Sequence, residues 1–257
     1  MEKSNIDEKI KLLTGSGMWH TQEVEGLPSV HLSDGPHGLR KQEEKERQNN
    51  VSLVSTCYPT ASALACSWDV TAAERLGRAV AKEAWNADVA VLLGPGINMK
   101  RSPLCGRNFE YFSEDPFLAG RLGAAYVSAA QGENVAVSLK HFAANNQETN
   151  RQTSNSQIDE RALREIYLSA FEYVVKTARP ATVMASYNRL NGYYACENRH
   201  LLTEILREEW GFDGVVISDW GACADLAKAV KAGMDLEMPD SHGIHARKLK
   251  AALKAGE

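Results

Sequence analysis

Two short segments, Val89-Ala-Val-Leu-Leu93 and Gly214-Val-Val-Ile-Ser218, lack the polar alternation of a strand with one wet face. Strands of this kind have to be covered on both sides, as in a parallel sheet with helices packed against it. Similar segments recur along the chain. The candidates are Val30 to Leu32, Ala61 to Ala65, Val89 to Leu93, Val135 to Leu139, Thr182 to Ala185, Val215 to Ile217 and Met234 to Glu237. Helical patterns lie between them. Thr71-Ala-Ala-Glu74 reads as a capping box opening a helix that runs to about Trp85. Leu163, Ile166, Tyr167, Phe171, Val174 and Val175 form an apolar stripe behind Asp159, and a further helix runs from about Asn198 to Trp210 and stops at Gly211.

Alternating strands and helices without hairpin signals leave an open doubly wound sheet or a closed barrel. A polar residue follows nearly every strand candidate: Asp34, Asn98, Lys140 with His141, Tyr187 with Asn188, Asp219 and Glu237. A barrel gathers all such ends around one mouth, whereas an open sheet concentrates them at a switch point. The expected fold is therefore an α/β chain of one domain, a (β/α)8 TIM-like barrel, with the eighth strand unlocated. At 257 residues the chain has the length of such a barrel.

Composition excludes other classes. There are 29 basic against 33 acidic residues and no long basic face, so nucleic acid is not an expected partner. No stretch is long and apolar enough for a membrane span, and the first residues lack the apolar core of a secretory signal. The five cysteines, Cys57, Cys66, Cys105, Cys196 and Cys223, have neither paired nor metal-type spacing. A cytoplasmic setting is expected, with no metal and no cofactor. The charged run from Lys41 to Asn50 reads as a solvated loop.

The chemistry concentrates in a few segments. Gly214-Val-Val-Ile-Ser-Asp-Trp-Gly-Ala222 delivers a carboxylate and then an indole at the exit of a buried strand, although Asp219 could also be a plain helix cap. Lys140 to Arg151 sets a cation, an imidazole and a row of amides after another strand. Glu114 and Asp115 read as caps of the helix after Pro116, and Ser33-Asp-Gly-Pro-His-Gly38 has turn chemistry.

In this order, the segments SDGPHGLR, GPGINMKRSPLCGRNFEYFSEDP, KHFAANNQETNR, DERALREIYLSAFE, VMASYN and FDGVVISDWGA resemble family 3 glycoside hydrolases from about Leu13 to Pro239. The resemblance implies a catalytic barrel followed by an α/β sandwich domain. It also implies a retaining β-glycosidase, above all a β-glucosidase acting on terminal β-D-glucosyl residues of a β-glucoside or short β-linked oligosaccharide. A β-xylosidase of the same family and a non-catalytic sugar-binding barrel are the alternatives. Matched residue by residue, Asp219 falls on the family nucleophile. Asp34, Arg107, Lys140, His141 and Tyr187 fall on contacts of the cleaved sugar, and Trp220 on the aromatic beside the nucleophile. Arg40, Arg151 and Met184 fall on further site-lining positions.

A carboxylate under the anomeric carbon is what a glycosyl-enzyme mechanism needs, and Lys140 and Arg107 are expected to help keep Asp219 ionised. Retention also requires a second carboxyl group about 5 Å away. In the resembled family that glutamate generally comes from the domain after the barrel. This chain ends at Glu257, in what reads as the helix HARKLKAALKAGE. The expectation is a barrel incomplete at its C-terminal end, with the acid/base supplied by an absent domain or another chain. Glu110, Glu148 and Glu197 are the internal candidates, and no motif favours one of them.

Overall fold

The computed structural model of the chain describes residues 5–42 and 51–256. Five strands form one parallel sheet in the order Val215–Ser218, Thr182–Ala185, Ala136–Phe142, Val91–Leu93, Leu32–Asp34. Hydrogen bonds then carry the sheet around to itself. Asp235 and Leu236 donate to the Val216 carbonyl, and Glu237 bridges in parallel to Thr14. Thr14 leads into the hairpin of Gly15–Ser16 and His20–Thr21, and Thr21 and Leu32 bond across to Val30 and Trp19. The ring thus closes as a barrel through an N-terminal hairpin, whose His20–Thr21 limb is its one reversed segment. With Ala61–Ala65 a helix, two strands of the eight are missing from the sequence expectation, and the two limbs supply them, hidden because each is two residues long and carries no apolar run.

The helices Val70–Asn86, Pro116–Gln131 and Ser169–Ala178 pack in succession on the outside. Their approach is tight. A Cβ on Gly77 would lie 2.5 Å from the Tyr126 carbonyl oxygen, so only glycine lets the first two helices come this close. The main core fills the layer between sheet and helices, and Leu32, Val91, Leu93, Met184, Ile217, Leu236 and Met238 make a second, smaller cluster.

Three sequence expectations need correction. Ala61–Ala65 is a helix and not a strand, with the Thr60 hydroxyl accepting from the Ala63 N–H; alanine favours helix and contributes little to a pleated surface. The helix expected to open at Thr71 begins at Val70 and is capped by Asp69, whose carboxylate accepts from the Thr71 N–H. The stripe behind Asp159 is broken by a π turn over Leu163–Tyr167. Its extra residue rotates the register, so Leu163, Phe171, Val174 and Val175 are buried while Ile166 is 39% exposed. Asp115 caps its helix as expected, but Glu114 precedes the cap and does not share the role; Asp159 caps the helix behind it, accepting from the Ala162 N–H. Most of the charged run, residues 43–50, lies outside the described residues.

Candidate active site

Side chains two apart on a strand share a face. Leu32 and Ile217 sit in the inner apolar cluster, and the next residues on the same faces, Asp34 and Asp219, emerge at the strand ends. There they line a cavity of about 600 Å³ together with Arg107, Lys140, His141, Tyr187 and Trp220. All seven residues singled out in the sequence therefore meet in one pocket, and Arg40, Arg151 and Met184 line it too. Asp34 reaches it through the expected turn, in which Gly38 donates to the Gly35 carbonyl and Arg40 to that of Asp34. Gly35 holds φ +116° in this turn, and a Cβ there would strike the Gly38 carbonyl at 2.0 Å.

Asp219 is buried. Its Oδ1 accepts from the Trp220 N–H at 2.8 Å, while Oδ2 makes no hydrogen bond. Burial pushes its carboxyl above the usual range, and Arg107, Lys140 and the Trp220 N–H pull it back only in part. The cations thus assist ionisation without overcoming desolvation, a balance that sequence alone does not give.

Lys140 is buried and donates to Asp34 Oδ1 at 2.7 Å, with Glu110 Oε2 at 3.7 Å on its other side. Burial works against its charge, but the two carboxylates more than compensate and hold the ammonium above its usual range. Asp34 is likewise opposed by burial, and the contact with Lys140 leaves it below the usual carboxylate range.

Arg107 binds Glu110 through Nε and donates from Nη2 to His141 Nε2 at 2.7 Å. A guanidinium can only donate, so Nε2 accepts and the imidazole hydrogen sits on Nδ1, facing the Tyr111 hydroxyl at 3.0 Å. Burial and the neighbouring cations push His141 far below its usual range, so the ring is neutral. Its 3.6 Å approach to Asp219 Oδ2 is therefore not an ion pair. The backbone of His141 is pinned on both sides by the Asn98 amide, at 2.7 and 2.8 Å.

The Tyr187 hydroxyl donates to the Trp220 carbonyl at 2.9 Å, and the Arg151 guanidinium stacks 4.2 Å over its ring. Trp220 is held in turn by its indole N–H, which donates to the Met18 carbonyl at 2.8 Å, and by Trp19, whose ring centroid is 5.2 Å away. Trp19 and Tyr111 were not foreseen. A tryptophan in the polar segment Gly17-Met-Trp-His20 was the available sign for the first; Tyr111 gave none, because its role depends on His141 folding against it.

The glutamates are accounted for. Glu110 is taken by Arg107 and Lys140, and Glu148 accepts from Arg151 at 2.8 Å and from Asn145 at 3.3 Å. Glu197 is absent from the pocket wall and accepts from the Asp225 N–H.

Residues 36–257 match the N terminal domain of glycosyl hydrolase family 3. The chain is 52% identical to the thermostable beta-glucosidase B of Acetivibrio thermocellus, over 100% of this chain and 35% of that protein. It is 50% identical to an exo-alpha-(1->6)-L-arabinopyranosidase of Bifidobacterium longum, over 92% of this chain and 32% of that one. Among solved structures, beta-glucosidase 3B from Thermotoga neapolitana in complex with alpha-D-glucose superposes with a TM-score of 0.93 at 40% identity, covering 99% of this chain and 39% of the other. The chain thus spans about a third of the length of these relatives.

Proposed function

The chain belongs to glycosyl hydrolase family 3, and from that premise we propose that it forms the barrel part of a retaining β-glucosidase in which Asp219 is the nucleophile. The observation that carries this reading is the unpartnered Oδ2 of a buried carboxylate, held by its other oxygen, in the wall of a pocket of cations and aromatic rings.

In this mechanism Oδ2 attacks the anomeric carbon as the glycosidic bond breaks, and a glycosyl-aspartate forms that water later hydrolyses. Lys140 and Asp34, a fixed donor beside a fixed acceptor, bind hydroxyls of the sugar. Arg107, next to Lys140 across Glu110, binds the sugar as well, and its charge favours the ionised nucleophile. His141 acts through Arg107, since both its ring nitrogens are engaged within the protein. Trp220, braced by Trp19, offers an aromatic face to the apolar face of the sugar. Each pocket carboxylate other than Asp219 is paired with a cation, which supports an acid/base supplied from outside these residues by the further domain that the family carries.

The similarity to an arabinopyranosidase favours a second substrate reading, an α-L-arabinopyranoside, within the same mechanism. Rates on aryl β-glucoside, β-xyloside and α-L-arabinopyranoside decide between sugars. Asp219→Ala in the full-length protein should lower kcat by roughly 10⁴-fold or more on the preferred glycoside with the fold intact. Near-normal turnover by that variant would end the assignment, and tight sugar binding by the unmutated protein without any turnover would favour a binding barrel.

A further inference from the structure

Outside the sugar pocket, Cys223, Glu237 and His245 bring a thiol sulfur, a carboxylate oxygen and an imidazole nitrogen within 4.8 Å of one another. They come from three separate places: the loop after Asp219, the segment beside the strand Val215–Ser218, and the first turn of the helix Ile244–Ala255. Cys223 and Glu237 are buried, at 5% and 3% exposure, and His245 closes the cluster toward the surface. Glu237 Oε1 meets His245 Nδ1 at 2.5 Å, but its Oε2 is buried without a hydrogen bond. Leaving a carboxylate oxygen in that state is costly. Asp240 adds a further negative charge nearby.

We propose that Cys223, Glu237 and His245 bind a divalent transition-metal ion of the zinc class. One sulfur, one nitrogen and one oxygen donor suit a borderline ion such as Zn²⁺, and a thiol with an imidazole does not suit Ca²⁺ or Mg²⁺. Three protein donors leave a fourth tetrahedral position for water. The ion replaces the thiol proton, which is lost to solvent, and displaces the hydrogen between Nδ1 and Oε1, the neutral imidazole then carrying its hydrogen on Nε2. Uptake therefore weakens as pH falls.

The site has a structural consequence. Cys223 is four residues beyond Asp219, and this loop is already tied to the neighbouring segment by the Gly221 N–H donating to the Met238 carbonyl at 2.8 Å. A bound ion would fasten the same loop to the last helix as well, stiffening the exit of the nucleophile strand. The sugar pocket itself is a separate cavity, and none of the three ligands lines it.

The test is a titration of the metal-free protein with Co²⁺ alone, followed by absorption. One equivalent should bring up a thiolate-to-cobalt charge-transfer band and the visible bands of tetrahedral cobalt, and Zn²⁺ should abolish both. Cys223→Ser should remove the charge-transfer band, and His245→Ala should weaken binding at least tenfold, whereas Cys57→Ser, at an exposed thiol elsewhere, should leave both unchanged. Should Cys223→Ser fold poorly, His245→Ala decides, because its side chain closes the site without filling the core. A missing charge-transfer band, a band that survives His245→Ala at full affinity, or a band that follows Cys57 or Cys66 would overturn the proposal. In that event Glu237 and His245 form a hydrogen bond only, or the ion is adventitious at exposed thiols.

Discussion

The two ends of the barrel are built from the same strands and have opposite chemistry. At the C-terminal strand ends Asp34, Lys140 and Asp219 crowd charge into a cavity with Arg107 and Glu110. At the other end a cavity of about 500 Å³ is walled mainly by apolar side chains, among them Leu13, Leu27, Val30, Val91 and Leu236, with Lys11 and Asp235 also in its wall. The contrast teaches where stability and reactivity reside. Leu236 and Val91 gain from burial at one end, whereas Lys140, Glu110 and Asp219 at the other are buried at a cost that for Asp219 is offset only in part by its neighbours. The buried Asp219 carboxylate with an unpartnered oxygen is tolerated because the rest of the barrel holds it there.

The comparison breaks most severely at Lys140. Lys140→Met leaves Asp34 without its cation and Glu110 to Arg107 alone, so it should cost roughly 3 kcal/mol of stability and abolish turnover together. Thermal denaturation and a glycoside assay read both effects, and a stable variant with normal activity would show that the mouth network is decorative. At the opposite end Leu236→Ala should lower stability by roughly 2–5 kcal/mol through the space it leaves, with kcat and KM of the remaining folded protein unchanged. A loss of kcat there would mean that the two ends are coupled.

The smallest effect is a displacement in pH. In the proposed mechanism Asp219 attacks only when ionised, and its carboxyl already lies above the usual range because of burial. Arg107 is the largest influence opposing that rise, so Arg107→Gln should raise it further and shift the acid limb of kcat/KM to higher pH. A limb that stays in place while the rate falls would mean that Arg107 binds sugar without tuning the nucleophile.

Much of the mouth was legible in the sequence because strand ends announce themselves: a buried run followed at once by Asp219, or by Lys140 and His141, is visible without coordinates. What holds those residues was less so. The ring closure through Gly15–Ser16 and His20–Thr21 carries no periodicity over two-residue limbs. The π turn at Leu163–Tyr167 preserves composition while rotating the helix face. The pairing of Arg107 with His141 depends on a loop meeting a strand 34 positions further along the sequence. The short alanine-rich helix Ala61–Ala65 misled because a five-residue apolar run fits either element.

The central claim is that Asp219 Oδ2 forms the bond to sugar. An aryl 2-deoxy-2-fluoro-β-D-glucoside with a good leaving group tests it directly, because the fluorine slows both steps while the leaving group needs little protonation. Mass spectrometry of the digested protein should then find one sugar adduct, on the peptide containing Gly214 to Ala222, with fragmentation placing it on Asp219. An adduct on Asp34, Glu110 or Glu148 instead would contradict the account.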